Sequence, residues 1–345
     1  MMNAAKFIGL FITLCFSVLS TQAGILLWAK KNLNTFNPVC YSGVECCFHE
    51  RSYKPSVSAL DWSFDQHLFG QTLAQRTILG AIDGHVTNQN PQKPLVLSLH
   101  GPAGTGKNHI TRLVVESMFT HGMDSTFVTL KISTKDYPHK DLLQYYKDEL
   151  VSLLKSKVSS CPHHVFIFDE IDNMPPGLLD SIKSYLDHYA KVDGIDFRKT
   201  IFIFRSNLAA QAINKHVWDM YERGKGRREN ILPDLERIIS NEISQNSETG
   251  FYKARIISSH LVSHYVPFLP LESSHVRQCI RAEFNVHGYR STPALEDEVL
   301  AELQFDGPKG SRVFAVKGCK NVAEKVNIIL YKLKTKAHRE RHIEL

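Results

Sequence analysis

Leu95-Val-Leu-Ser-Leu-His-Gly101-Pro-Ala-Gly104-Thr-Gly106-Lys107-Asn108 decides how this chain is read. An apolar run ends at a glycine, and Gly106-Lys107 then opens an amphipathic segment from Ile110 to Met118. Strand, glycine-rich loop and helix in that order make the G-x-x-x-x-G-K pattern of a phosphate-binding loop. The glycines let consecutive N–H groups converge on a triphosphate. The helix N-terminus adds partial positive charge and Lys107 a full one. A plain glycine-rich turn before a helix is the alternative, and the flanking strand and helix patterns favour the nucleotide. Gly101, Pro102, Ala103, Gly104, Thr105, Gly106, Lys107, Asn108 and His109 are the candidate nucleotide-binding residues. Asn108 stands where a Ser or Thr hydroxyl normally ligates magnesium.

A second motif sets the class. Val165-Phe-Ile-Phe168 runs straight into Asp169-Glu170. An unbroken apolar run suits a strand buried on both faces of a parallel sheet. The carboxylates then emerge at its C-terminal end, where ligands bind in open α/β sheets. Asp169 is placed to hold magnesium through its water, and Asn108 is the second candidate near the metal. Glu170 is placed to orient the attacking water, since phosphoryl transfer rests on positioning and charge stabilisation. With the phosphate loop at this spacing, the pair reads as an ATPase. A third strand pattern, Thr200-Ile-Phe-Ile-Phe204, ends at Arg205-Ser206-Asn207. Asn207 is the candidate sensor of the γ-phosphate, with Ser206 second. The same spacing equally suits Asn207 capping the helix that begins near Ala209.

At 345 residues the chain allows roughly two domains, and 43% hydrophobic content excludes global disorder. The net charge of +6 is local. It sits in Arg223, Lys225, Arg227 and Arg228, and again from Lys332 to Arg341. Neither cluster is interleaved with the aromatic platform that single-stranded nucleic acid needs, so no nucleic acid is expected. Lys6, the apolar run Phe7–Leu19 and Ser20-Thr-Gln-Ala23 have the plan of a secretory signal peptide. Uncleaved, Phe7 to Ala29 would be about long enough to anchor in a bilayer. Cleaved after Ala23, it leaves Ile25–Trp28 for a shallow membrane contact or a buried helix. His342-Ile-Glu-Leu345 matches the K-D-E-L retrieval signal at its last two positions, so the endoplasmic reticulum lumen is the expected compartment. There disulfides are permitted. Beyond leader Cys15 stand Cys40, Cys46, Cys47, Cys161, Cys279 and Cys319, and sequence cannot choose among their pairings.

Periodicity predicts a helical stretch over Trp62–Ile82 after a cysteine-bearing irregular strap. Strands are predicted near Leu95–Leu99, Phe127–Ile132, Val165–Asp169, Thr200–Arg205 and Tyr265–Leu269. Helices are predicted at Lys107–Met118, Lys140–Leu154, Gly177–Ala190 and Leu208–Tyr221. This alternation predicts an α/β fold, a parallel sheet with helices on both faces. After Glu272 the pattern becomes helical: Val276–His287, Leu295–Leu303 and Asn321–Leu333 around a short strand, Val313–Val316. The expected organisation is a signal peptide (1–23), the strap (24–63), a nucleotide-binding domain (64–270), a mostly helical lid (271–341) and the retrieval-like tail (342–345).

A phosphate-loop domain followed by a small helical lid has the outline of an AAA+ ATPase. Ser98–Asn108, Ile167–Asp172, Val266-Pro-Phe-Leu-Pro-Leu271 and Val316-Lys-Gly-Cys-Lys320 closely resemble the torsin family, lumenal relatives of Clp-type unfoldases. The likeness spans about Phe64 to Leu333. It implies ATP and magnesium as cofactors and makes Lys320 a second sensor reaching from the lid. It also implies a Cys279–Cys319 pair that couples disulfide state to nucleotide grip. Read without the resemblance, Gly318-Cys-Lys320 could simply cap the last helix and Cys319 could be an inert buried thiol.

AAA+ rings usually insert an arginine finger just before the fifth strand, and Ser258–Leu271 contains no arginine. Such fingers raise phosphoryl-transfer rates by orders of magnitude, so weak turnover is expected from the chain alone. The resemblance implies a membrane-anchored activator of the lamina-associated polypeptide type that donates the arginine, in the lumen and perinuclear space. Further copies of the chain are also expected partners. The counterpart of the Clp pore loop, Ser133–Lys140, has one tyrosine, Tyr137, and no glycine, which puts processive threading in doubt. The favoured function is an activator-dependent ATPase that remodels proteins or membranes. An ATP-gated scaffold, whose assembly rather than turnover is the function, is the alternative. An unfoldase dependent on Tyr137 is the third reading.

Overall fold

The computed structural model describes residues 45–47, 52–225, 231–245, 249–251 and 254–343. The chain divides into two compact units at Lys54 and Pro55, and all the described helices and strands lie in the second. The leader, most of the strap, Arg227, Arg228 and Glu344-Leu345 fall outside the described residues. Among those described, no helix is long and apolar enough to cross a membrane.

Five parallel strands form the sheet: β1 (Leu95–His100), β2 (Val128–Ile132), β3 (Val165–Asp169), β4 (Ile201–Ser206) and β5 (His264–Pro267). Their order across the sheet is β2-β3-β4-β1-β5. β1 and β4 are buried along their whole length and β3 up to Asp169, as continuous apolar strands require when helices cover both faces. Phe166 stacks on Phe202 with centroids 5.2 Å apart, and Phe168 lies 5.5 Å from Phe204, so neighbouring strands are locked ring to ring. Two polar residues within β1 meet each other: Ser98 Oγ lies 2.7 Å from His100 Nε2. Burial pushes the His100 imidazole down to about 3, so it stays neutral.

β1 sits between β4 and β5, yet the chain leaving β1 crosses to β2 at the far edge. That reversal opens a crevice at the C-terminal ends of the strands, the usual binding place in such sheets. The helix Lys107–Glu116 starts there and buries Ile110, Val114 and Val115. The lid has a core of its own. Val276, Ile280 and Phe284 of helix Ser273–Val286 meet Val299 of helix Pro293–Ala301 and Val326 and Ile329 of helix Val322–Ile343.

Several elements differ from the periodicity. Trp62–Ile82 is two helices, Val57–His67 and Thr72–Thr87, broken at Gly70, whose φ is +69°. A Cβ there would stand 2.6 Å from the His275 ring, so the break lets the lid helix approach. Gly177–Ala190 holds just two short turns, Leu179–Ile182 and Lys183–Leu186. At its end the Asp187 carboxylate accepts the His188 N–H at 2.8 Å, a local bond that competes with a helix. β5 is His264–Pro267, shifted towards the N-terminus of Tyr265–Leu269; its end comes early because the Leu269 N–H goes to Gln71 and Pro270 has none to give. Helix Leu232–Gln245, absent from the predicted elements, buries Leu235, Ile239 and Ile243 at helical spacing. A second lid strand, β6 (Phe305–Asp306), pairs antiparallel with β7 (Phe314–Ala315).

Candidate active site

The loop after β1 carries three glycines at positive φ: 147° at Gly101, 75° at Gly104 and 108° at Gly106. L side chains rarely adopt these angles. Space forbids them as well. A Cβ on Gly101 would lie 2.4 Å from the Phe268 carbonyl oxygen, and one on Gly104 1.9 Å from that of Lys317. Gly106 is the N-cap of helix Lys107–Glu116, so the helix's free N–H groups face the loop.

Lys107 is buried at 8% exposure, and its ammonium donates to the carbonyls of Gly101 (2.6 Å) and Pro102 (2.9 Å). It also donates to Asn207 Oδ1 at 3.1 Å. Burial pushes this ammonium down to about 8, with Asp172 and Asp169 opposing the shift. The Asn207 amide therefore meets the phosphate-loop lysine, while no side chain caps the helix Ala210–Glu222. Asn207 is therefore not the cap of that helix, and its side chain stands beside the phosphate loop.

Asp169 closes β3, and Glu170 follows with φ +54°, an uncommon angle for a non-glycine residue of the kind that gathers at functional sites. Ser133 Oγ donates to the Asp169 carbonyl at 2.8 Å, and Thr134 Oγ1 donates to the Glu170 carboxylate. These two hydroxyls come from the end of β2 and hold the acidic turn. Asp172 Oδ1 accepts from Ser206 Oγ (3.1 Å) and from the Asn207 N–H (3.3 Å), which orients the turn after β4. Asp169 itself accepts the Glu170 N–H at 3.0 Å on Oδ1 and the Arg205 guanidinium at 2.6 Å on Oδ2.

The lid completes the site. The Cys319 N–H donates to the Gly104 carbonyl at 3.0 Å, so Gly318-Cys-Lys320 docks on the phosphate loop ahead of the last helix. Cys279 and Cys319 are disulfide-bonded, which ties that turn to helix Ser273–Val286. Cys46, Cys47 and Cys161 are oxidised too. Gln71 supports the loop from behind: its amide donates to the carbonyls of Thr105 (3.1 Å) and Leu269 (2.8 Å) and accepts the Leu269 N–H (2.9 Å).

Between loop and lid lies a cavity of about 870 Å³, within the range of ligand pockets. Ala103 to His109, Asp169, Glu170, Ser206, Asn207 and Lys320 all line it. Gly101 and Pro102 contribute through their carbonyls on Lys107, and His109 Nε2 lies 3.0 Å from the His67 carbonyl oxygen. Sequence reasoning overlooked Gln71, Thr134, Asp172 and Arg205 as site residues, because each acts through a partner distant in the chain. The cradle, the buried lysine and the paired carboxylates fit a nucleoside triphosphate. Among the described residues no group of three or more His, Cys, Asp or Glu could hold a metal alone. Asn108 and Asp169 instead suit magnesium carried on phosphates, since that ion keeps most of its ligands as phosphate and water. Tyr137 is 1% exposed and packs edge-on to Tyr146 with centroids 5.3 Å apart, which makes it a core residue and no pore aromatic.

Comparison with known proteins agrees with this geometry. The family model described as Torsin matches residues 41–168, and that described as Torsin-1A, C-terminal domain, matches residues 271–328. A "Torsin-like protein" of Caenorhabditis elegans is 38% identical over 298 residues, 86% of this chain and 83% of that protein. One of Drosophila melanogaster is 33% identical over 295 residues, 83% of this chain and 85% of that protein. Among solved structures, the Saccharomyces cerevisiae Hsp104–ADP complex superposes with a TM-score of 0.57 at 17% identity, covering 82% of this chain. The closed state of Hsp104 with ATPγS and FITC casein gives 0.55, also at 17% identity and over 82% of this chain. This chain spans about half of each Hsp104 chain (48%), and at that identity the likeness speaks for the fold. With its phosphate loop, its paired carboxylates and relatives alike over most of their length, the chain belongs to the torsin family of AAA+ ATPases.

Proposed function

We propose that this chain is an ATP hydrolase of the endoplasmic reticulum lumen and perinuclear space, weak alone and activated by a membrane-anchored partner, that remodels proteins or membranes. The observation that carries the reading is the convergence of Lys107, Glu170, Asn207 and Lys320 on one cavity between loop and lid. Lys107 and the loop amides hold the phosphates. Glu170 orients the attacking water, and Thr134 sets the angle of its carboxylate. Asn207 and Lys320 respond to the γ-phosphate from the sheet and from the lid. Magnesium, held by Asn108 and Asp169 through its waters, would neutralise charge across the phosphates. Hydrolysis loosens the lid and with it the partner contacts.

The lumenal placement rests on the apolar N-terminal run, the terminal His342–Leu345 and the cysteine content. The activator requirement rests on the lack of arginine in Ser258–Leu271. A partner's arginine finger, of the lamina-associated polypeptide type, would supply the missing charge, and copies of the chain would assemble with it. Steady-state ATP hydrolysis by residues 24–345, with and without such a lumenal domain, tests this. Negligible turnover alone, and strong stimulation lost when the partner's arginine is replaced, is the expected result. Robust turnover alone would sink the supplied-finger mechanism.

The scaffold reading draws on Asn108 at the metal position. Glu170→Gln separates the two: loss of function with trapped partner complexes supports turnover, and retained function supports the scaffold.

A further inference from the structure

Arg205 occupies an unusual place. It shares a face of β4 with Ile201 and Ile203, pairs in register with Leu99, and is 4% exposed. Burying a guanidinium is costly unless it is paired and fully hydrogen-bonded. Here one nitrogen, Nη2, meets Asp169 Oδ2 at 2.6 Å, while Nε is buried without a hydrogen-bond partner. An apolar residue of similar size commonly serves stability as well as a buried ion pair or better. The pair is therefore poorly accounted for by stability. Its location is informative, because both residues line the nucleotide cavity.

Both oxygens of Asp169 are engaged by the chain itself, Oδ1 by the Glu170 N–H and Oδ2 by Arg205. A divalent cation drawn to this carboxylate must share it with a guanidinium already in contact. Such a cation gains less from Asp169 than from a free carboxylate, and the neutral amide of Asn108 does not restore the difference. Lys107, whose ammonium is held only by neutral carbonyl and amide oxygens, meanwhile offers its charge to an anionic nucleotide whether or not a metal accompanies it.

We propose that Arg205 is a positioning residue of the nucleotide site: by holding Asp169 it makes nucleotide binding nearly independent of magnesium. This rests on the ATP reading of the cavity. The readout is binding, not turnover.

The dissociation constant of a fluorescent ATP analogue is measured on the purified full chain, once with excess magnesium and once with EDTA. For the native sequence the two values should agree within about threefold. In Arg205→Met, which frees Asp169, the ratio of the EDTA value to the magnesium value should rise to about tenfold or more. Arg205→Lys keeps a cation on Asp169 and should stay near the native ratio. A native ratio of about tenfold or more overturns the proposal, whether or not Arg205→Met folds. So does a folded Arg205→Met with an unchanged ratio. Failure of the native chain to bind the analogue under either condition overturns the ATP reading itself, and is told apart by the missing signal.

Discussion

Cys319 and Gly104 are joined backbone to backbone: the lid residue's N–H donates to the carbonyl of the phosphate loop at 3.0 Å. No side chain mediates the contact, and it closes because position 104 has no Cβ. The lid is thus seated on the same loop that cradles the phosphates.

Gly104→Ala should unseat it. The new Cβ would overlap the Lys317 carbonyl, and φ of +75° strains any L residue by about 1–2 kcal/mol. A rise of about tenfold or more in the dissociation constant for ATP is expected, read by fluorescence titration. Unchanged affinity would mean that the lid contact is dispensable for the nucleotide.

The Cys279–Cys319 bond closes a loop with a sequence separation of 40. Chain entropy alone makes such a cross-link worth about 4 kcal/mol. Other cysteines are also oxidised, so replacing this pair by serine is a cleaner probe than a reductant. The double variant should lose about 2–4 kcal/mol in a urea melt. An unshifted midpoint would indicate that the lid unfolds apart from the rest.

Gln71→Ala removes three hydrogen bonds and leaves the Thr105 and Leu269 backbone groups unpaired in a buried place. An unsatisfied buried group costs about 1–3 kcal/mol. A loss of stability in that range or above, with weaker nucleotide binding, is expected from a thermal melt and a titration. Loss of stability without any change in binding would confine Gln71 to packing.

Glu296, 3% exposed, accepts two hydrogen bonds from Arg281 and one from Ser291. The Arg281 guanidinium holds this carboxyl below its usual range. A carboxylate with a depressed folded pKa contributes stability above its unfolded pKa and loses it as pH falls through the folded value. Glu296→Gln should therefore lower the melting temperature at neutral pH, and the gap between variant and native chain should shrink below about pH 4. A gap constant with pH would exclude the charge as its cause.

Much of this was legible in the sequence. Leu95–Lys107 and Val165–Glu170 announce themselves because glycine spacing and unbroken apolar runs are local signals, and both motifs stand at the cavity wall. The dual role open to Asn207 was not decidable by spacing, since capping and sensing need the same position. In the fold the helix takes no side-chain cap, and the Asn207 amide meets Lys107 instead. The long helix expected over Trp62–Ile82 failed at Gly70 because its neighbour, His275, lies in the lid.

The sequence by itself determined the class of the sheet, the phosphate loop, the acidic pair and the family likeness, each a pattern of neighbours along the chain. Tertiary structure decided what those groups touch. Arg205 reads as one residue of a strand end until β3 and β4 pair and bring Asp169 against it. Thr134 reaches Glu170, and Cys319 reaches Gly104, just as the strands and the lid are brought together. Such contacts depend on strand order and lid docking, which are set by burial of the whole core and leave no local spacing to read.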